Sequence, residues 1–502
     1  MFNWEDIISY SADKPLLFNQ YIFLFLFTAI FAGYTFIHKQ VRIRNIYLLA
    51  FSLFFYYKCS GFYFLLLLFS TAVDYVLGFL IHKTKPKWKR QLLLTISLIV
   101  NLGLLGFFKY SYFIVDSINN LAGTSFQAIN FLAVFANGSF GTAYDIFDIV
   151  LPVGISFYTF QTLSYSIDIY RKKIEPCQNI FDFAFFVSFF PQLVAGPIVR
   201  AADFLPQIRK PYYLSKAGFG EAVFLIISGL IKKVVISDYI SINFVDRVFE
   251  APELYSGFMN LMAVYGYSIQ IYCDFSGYSD IAIGLAALLG FTLPINFNGP
   301  YKSQSLTDFW RRWHISLSSW LRDYLYISLG GNRKGTIRTY FNLFMTMLLG
   351  GLWHGAALKF IVWGALHGVG LAIHRVWSRW FNIGVNTFGK VISVLITFHF
   401  VAFCWMYFRA ADIHTVALML KTIFTNFDWG GIVPRVLGYW KVFSFMTLGY
   451  VVHMLPSRIK NNIKSWYSDA HIITKILVFV GVVFCIYQAK SADIQPFIYF
   501  QF

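Results

Sequence analysis

The sequence predicts an all-α, polytopic integral membrane protein with about eleven to thirteen transmembrane or re-entrant helices. Three observations carry this. Of the 502 residues, 58% are hydrophobic and only 13% charged, where a soluble domain averages about 25% charged. Apolar runs near bilayer-spanning length recur along almost the whole chain. Basic residues cluster between the runs, at Lys39–Arg44, Lys83–Arg90, Arg171–Lys173, Arg200–Lys216 and Lys302–Arg338, and none lies between Lys109 and Arg171.

The apolar runs place candidate spans near 16–37, 45–59, 62–82, 91–115, 147–169, 180–197, 221–237, 257–273, 279–293, 340–352, 357–374, 388–408, 438–455 and 472–490. The pieces at 45–59, 180–197 and 340–352 are short for a 30 Å bilayer, so tilted pairs or re-entrant helices are expected there. The stretch 411–440 reads as a long loop with a short interfacial helix. No internal repeat, linker or charge run divides the chain. One membrane domain over 1–502 is expected, its core with the candidate site at about 150–410.

The net charge of +17 is read as cytoplasmic Lys and Arg loops rather than as affinity for nucleic acid. With the acidic N-terminus outside, Lys39–Arg44, Lys83–Arg90 and Arg171–Lys173 fall inside, and Ser60–Gly61 and Ser117–Asn137 outside. The opening MFNWEDIISYSADK lacks a basic n-region, so no cleavable signal peptide is expected. The five cysteines are scattered without a CxxC pair, and are expected to be buried and reduced.

Chemistry concentrates in Ser305–Arg375. Ser305-Leu-Thr-Asp308 resembles a capping box and starts a helix. On its wheel Leu306, Phe309, Trp310, Trp313, Leu317, Trp320, Leu321 and Tyr324 share one arc, while Arg311, Arg312, Ser316, Ser318, Ser319, Arg322 and Asp323 fill the other side. Such a helix lies in the interface or lines a polar cavity. His314 sits at the edge of the apolar arc, half-desolvated. The basic turn Gly330-Gly-Asn-Arg-Lys-Gly335 offers backbone N–H groups and cations to phosphates, or is simply a positive cytoplasmic loop.

Next comes Gly350-Gly-Leu-Trp-His-Gly355. Small residues beside an imidazole allow close approach of backbone or ligand. His354 can take a proton from a hydroxyl or thiol, or serve as a helix–helix hydrogen-bond partner. His367 lies thirteen residues on, more than three helical turns away, so the pair cannot share a metal on one continuous helix. No metal site is expected. In a third polar island, Tyr272-Cys-Asp-Phe-Ser-Gly-Tyr-Ser-Asp280, the residues Asp274, Ser276, Ser279 and Asp280 either orient a histidine or bind a polar acceptor, or bridge a break between two helices. In Phe190-Pro-Gln-Leu-Val-Ala-Gly-Pro-Ile-Val-Arg200 the prolines break the helix, with Arg200 interfacial.

These residues resemble the membrane-bound O-acyltransferase superfamily, in its bacterial branch of alginate and peptidoglycan O-acetyltransferase membrane subunits. The resemblance rests on DFWRRWHISLSSWLRDYLYISLGGNRKG (Asp308–Gly335) and LLGGLWHGAALKFIVWGALHG (Leu348–Gly368), with CDFSGYSDIAIGLAALLGFTLPINFNGPY (Cys273–Tyr301), FYTFQTLSYSIDIYR (Phe157–Arg171), FFPQLVAGPIVR (Phe189–Arg200) and FCWMYFRA (Phe403–Ala410). It departs at Phe55-Tyr-Tyr-Lys-Cys-Ser-Gly61, where relatives often carry Gly-Trp.

The resemblance implies a funnelled helical membrane fold in the bacterial inner (cytoplasmic) membrane. It implies acetyl transfer from acetyl-CoA toward a hydroxyl of a cell-envelope polysaccharide, with an extracytoplasmic partner protein completing the transfer. His354 is then the catalytic residue and His314 the second candidate. Asp274, Ser276, Asp308, Arg311, Arg312, Asn332, Arg333 and Trp353 are the expected substrate-binding set. No bound cofactor is expected. The rivals are a D-alanyl transferase of the sister branch, a polysaccharide or lipid transporter, and a non-catalytic scaffold.

Overall fold

The computed structural model describes residues 8–11, 15–194, 196–380, 386–489 and 497, and among them regular structure is entirely helical. The acidic start of the chain, expected outside, lies beyond the described residues except for 8–11. An antiparallel series opens the fold: α1 (Tyr21–Ile37), α2 (Val41–Ser60), α3 (Phe64–Lys83) and α4 (Lys87–Ala122). α5 (Phe131–Phe140) is short, and α6 (Ile155–Tyr170) returns through the core against α3 and α4. What the membrane cannot solvate is satisfied between these helices: the Asp74 carboxylate accepts from Ser97 (2.5 Å), Ser166 (2.9 Å) and Asn101 (2.7 Å).

The 180–197 segment is re-entrant. α7 (Ile180–Ser188) stops before Pro191, one helical turn follows at Phe190–Leu193, and the chain comes back to Arg200 and α8 (Ala201–Ile208). By contrast, the segments read as 45–59 and 340–352 are full helices.

α9 (Lys216–Leu230) continues through π turns at Ile231–Asp238 and Ser241–Val245 and packs along α10 (Gly257–Leu288). α10 corrects one expectation: the polar island Tyr272–Asp280 is not a break but the middle of one continuous helix of 32 residues. It stays helical because its acids meet cations across the interface. Lys233 Nζ lies 2.5 Å from Asp274 and 2.8 Å from Asp238, and Lys232 Nζ 2.5 Å from Asp280. Paired charges are tolerated at this depth where single ones are not.

The remaining chain holds α11 (Leu306–Arg312), α12 (Ile315–Trp320), α13 (Thr336–His354), α14 (Leu358–Trp380), α15 (Thr387–Arg409), α16 (Ile413–Thr425), α17 (Trp440–Met454), α18 (Ser457–Asp469) and α19 (Ile472–Ala489). The expected loop at 411–440 is therefore largely helical. Among the described residues, four stretches are long and apolar enough to cross a membrane by length and composition: Val41–Lys83, Lys87–Ala122, Leu358–Ser378 and Thr387–Arg409, with α18 and α19 a further pair bent by 118°. Central helices such as α10 fall outside that set because polar residues, buried against protein, lower their hydropathy.

The bundle has a basic end and an opposite end. At the basic end Arg44 donates to the carbonyls of Ile208 and Lys210, Arg171 to that of Asp323, and Arg200 pairs with Asp323 at 2.8 Å. At the opposite end Tyr56 donates to Val153 O, Lys359 to Ala410 O, and Arg409 pairs with Asp246.

Candidate active site

α13 and α14 form an antiparallel hairpin packed backbone to backbone. A Cβ on Gly351 would lie 2.3 Å from Phe360 O, and one on Gly364 would lie 2.5 Å from Met347 O. α13 stops at His354, where Gly355 is extended. The last carbonyls of a helix lack intrahelical partners, and α4 supplies them here. Tyr110 Oη donates to Leu352 O (2.8 Å), and Lys109 Nζ donates to Trp353 O (2.7 Å) and His354 O (3.0 Å). A cation is favourable against the negative end of the helix dipole. His354 is 4% exposed. Its ring lies 5.0 Å from Trp353, 5.1 Å from Trp363 and 5.2 Å from Phe408, centroid to centroid.

His314 is not part of one long amphipathic helix. α11 starts as expected, with Ser305 Oγ accepting from Asp308 N at 3.1 Å. The chain then turns at His314, whose φ of 43° is left-handed, before α12. A non-glycine residue held there is strained unless its surroundings fix it, and such residues cluster at functional sites. The fixing is visible: Ile315 N donates to Asn296 O, Asn298 N to Arg312 O, and Ser316 Oγ to Asn296 Oδ1 at 2.6 Å. Asn296 in turn donates to Ser279 of the polar island at 3.1 Å. Expected to be half-desolvated, His314 is fully buried, 4.6 Å from the Phe275 ring and 6.3 Å from Trp353. Trp353 thus lies between the two histidines, joining them in one aromatic cluster.

A cavity and a cleft open toward the two ends of the bundle. An outer cavity of about 90 Å³, at the opposite end, is lined by Lys109, Pro152, Gly154, Ser156, Trp353 and His354 among others. A larger inner cleft of about 660 Å³ opens at the basic end. Its walls include Trp310, Arg311, Ser318, Arg322, Asn332, Met347, His374 and Arg375.

The predicted site residues divide accordingly. His354 and Trp353 line the outer cavity, Arg311 and Asn332 the inner cleft, and His314 stands between. Arg312 and Asp308 pair with each other at 2.9 Å and, with the exposed Arg333, lie outside the cleft lining. Asp274 is engaged by Lys233, and Ser276 is buried within α10. Sequence reasoning missed Lys109, Arg322, Trp363 and Arg375. For Lys109 a signal existed: a single cation inside the apolar run 91–115. The arginines carry no such mark, since basic residues are ordinary at that end.

At the basic end the Asp323 carboxyl is drawn two ways. Burial raises its pKa, but hydrogen bonds from Arg322 and Arg200 outweigh this and hold it below the usual carboxylate value.

Comparison with known proteins agrees with this architecture. The model of the MBOAT, membrane-bound O-acyltransferase family matches residues 177–413, which includes both histidines. The chain is 38% identical to the probable alginate O-acetylase AlgI of Pseudomonas putida, over 97% of this chain and 100% of that protein. It is 37% identical to the peptidoglycan O-acetyltransferase of Helicobacter pylori, over 83% and 81%. The teichoic acid D-alanyltransferase of Bacillus subtilis is 29% identical over 52% and 69%. The chain therefore belongs to the bacterial branch of the membrane-bound O-acyltransferase family and is a multi-pass membrane O-acyltransferase.

Proposed function

We propose that this protein takes an acetyl group from cytoplasmic acetyl-CoA and passes it across the bacterial inner membrane toward hydroxyls of a cell-envelope polysaccharide, of the alginate or peptidoglycan kind. An extracytoplasmic partner protein completes the transfer. One observation carries the reading: a cleft bearing three arginines opens at one end of the bundle, and a separate cavity lined by His354 opens at the other. The excess of Lys and Arg at the cleft end supports a cytoplasmic placement of that end. Its arginines suit the phosphates of a nucleotide-bearing thioester. The names of the relatives support acetyl as the group and an envelope polymer as its destination.

In this mechanism His354 accepts the proton of the acceptor hydroxyl in the outer cavity. The oxygen attacks the thioester carbonyl, the C–S bond breaks, and the thiolate leaves toward the cleft and takes up a proton. His314 holds the acceptor or shares the proton. Lys109 is the cation lining the outer cavity, placed to offset negative charge developing on the tetrahedral oxygen.

Vesicles with a defined protein orientation test this. Acetyl-CoA supplied only at the basic end, with envelope extract only at the other, is expected to give acetylated acceptor in the second compartment. Transfer with both supplied on one side alone would refute the crossing. Label arriving from D-alanyl carrier protein but not from acetyl-CoA would favour the D-alanyl reading.

A further inference from the structure

Between the end of α6 and α8, the basic end holds a second cavity that neither the histidines nor the arginine cleft uses. Its volume is about 370 Å³, inside the range of about 300–1,000 Å³ usual for small-molecule sites. Buried Pro176, Cys177 and Ala201 form part of its wall. Its charged side chains are Glu175, Asp182 and Arg209.

These charges are not matched within the protein. The Glu175 carboxylate has no ion-pair or hydrogen-bond partner among the described residues. The cations beside it are turned elsewhere, Lys173 to Asp168 at 3.5 Å and Arg171 to Ser328 Oγ at 2.9 Å. Asp182 accepts from Asn45 Nδ2 at 3.3 Å and holds Arg209 only loosely, at 4.0 Å. The Arg209 side chain is 66% exposed. An acid and a guanidinium thus line one cavity with their hydrogen-bonding capacity largely unused.

Two contacts fix the depth of the cavity. Arg44, in the first turn of α2, donates to the carbonyls of Ile208 and Lys210, on either side of Arg209. Tyr75 Oη donates to Gln178 O at 3.1 Å. Tyr75 stands eight residues before the end of α3, about 12 Å along the helix. The cavity therefore reaches from the helix ends inward, the depth of lipid headgroups. Ile180 and Phe181, between Gln178 and Asp182, are exposed, as are Val76 and Leu80 on the outer side of the spanning helix α3. A lone carboxylate beside lipid is costly unless a cation meets it.

We propose that this cavity binds an ammonium carried next to a phosphate, the chemistry of an ethanolamine phospholipid headgroup. The ammonium brings three N–H donors to Glu175. The phosphate takes the fork of Arg209, which Asp182 steers. A choline headgroup has no N–H to give Glu175. A glycerol headgroup has no cation, and its phosphate meets two carboxylates.

Two measurements on the full-length protein test this. Native mass spectrometry counts lipid retained from micelles holding equal phosphatidylethanolamine, phosphatidylcholine and phosphatidylglycerol. Titration calorimetry in phosphatidylcholine nanodiscs follows binding of free phosphoethanolamine. Wild type is expected to retain phosphatidylethanolamine about tenfold over the other two lipids. Glu175→Gln and Arg209→Gln are each expected to remove that preference, with the thermal midpoint in phosphatidylcholine unchanged. Lipid preference without binding of free phosphoethanolamine would place the source in the bilayer. Binding of free phosphoethanolamine, lost in Glu175→Gln and without lipid preference, would place it in solution. Neither behaviour in wild type, or either one unchanged in folded Glu175→Gln protein, would overturn the site.

Discussion

Gly351→Ala is the sharpest test of how the α13–α14 hairpin places His354. The new Cβ would lie 2.3 Å from Phe360 O and 3.0 Å from the N and Cα of Gly364. Carbon and carbonyl oxygen settle at about 3.3 Å or more, so the two helices must part by about 1 Å. The obstacle is backbone on both sides, so no rotamer change relieves it. His354 is three residues further on, at the end of the displaced helix. A misplacement of about 1 Å at a reacting group costs about a hundredfold in rate, and overpacking costs about 1–3 kcal/mol of stability.

The neighbouring Gly350→Ala is the control. Its Cβ meets only the end of the Leu321 side chain, at 3.2 Å, which can move aside, and alanine is the better helix former by about 1 kcal/mol. Thiol release from acetyl-CoA in vesicles, scaled to folded protein, is expected to fall about a hundredfold in Gly351→Ala and less than threefold in Gly350→Ala. Equal activity in the two variants would refute the argument from backbone contact.

Lys109→Met leaves the carbonyls of Trp353 and His354 without their ammonium donor and is expected to cost about 2–4 kcal/mol; an unchanged thermal midpoint in detergent would show the clamp to be idle. Lys233→Met removes the ammonium that Asp238 and Asp274 share in the core and is expected to cost about 3–5 kcal/mol, most of it recovered when both acids also become asparagine. Failure of that rescue in the triple variant would contradict the pairing. Asp323 titrates below its unfolded value, so its ion pair with Arg200 contributes stability above about pH 4 and loses it as pH falls further. Asp323→Asn is expected to flatten the acid limb of a stability-versus-pH curve, and an unaltered limb would exclude this pair as its source.

Features that rest on local pattern were legible in the sequence, and features that rest on distant partners were not. The start at Ser305, the proline break at Pro191 and the small residues around His354 are local, and each stands in the structure. The polar island at Tyr272–Asp280 looked like a break because Asp274, Ser276, Ser279 and Asp280, four polar side chains within seven residues, are costly in lipid. Their partners, Lys232 and Lys233, come from another helix, and Lys233 is 41 residues from Asp274. His314 shows the same limit. A helical wheel assumes a continuous helix, and no glycine marks the left-handed turn that His314 makes. The strands of chain that fix it, around Asn296, are themselves set by Ser279 and Ser316. The clamp from Lys109 and Tyr110 joins residues more than 240 apart, and only the oddity of a lysine in an apolar run pointed toward it.

Release of free thiol from acetyl-CoA by purified wild-type protein in vesicles, beside His354→Ala and His314→Ala, bears most directly on whether this histidine pair performs acyl transfer. With envelope extract present, turnover is expected in wild type, abolition in His354→Ala and a large loss in His314→Ala, with all three proteins folded. Full turnover in a folded His354→Ala protein, or none in wild type, would contradict it.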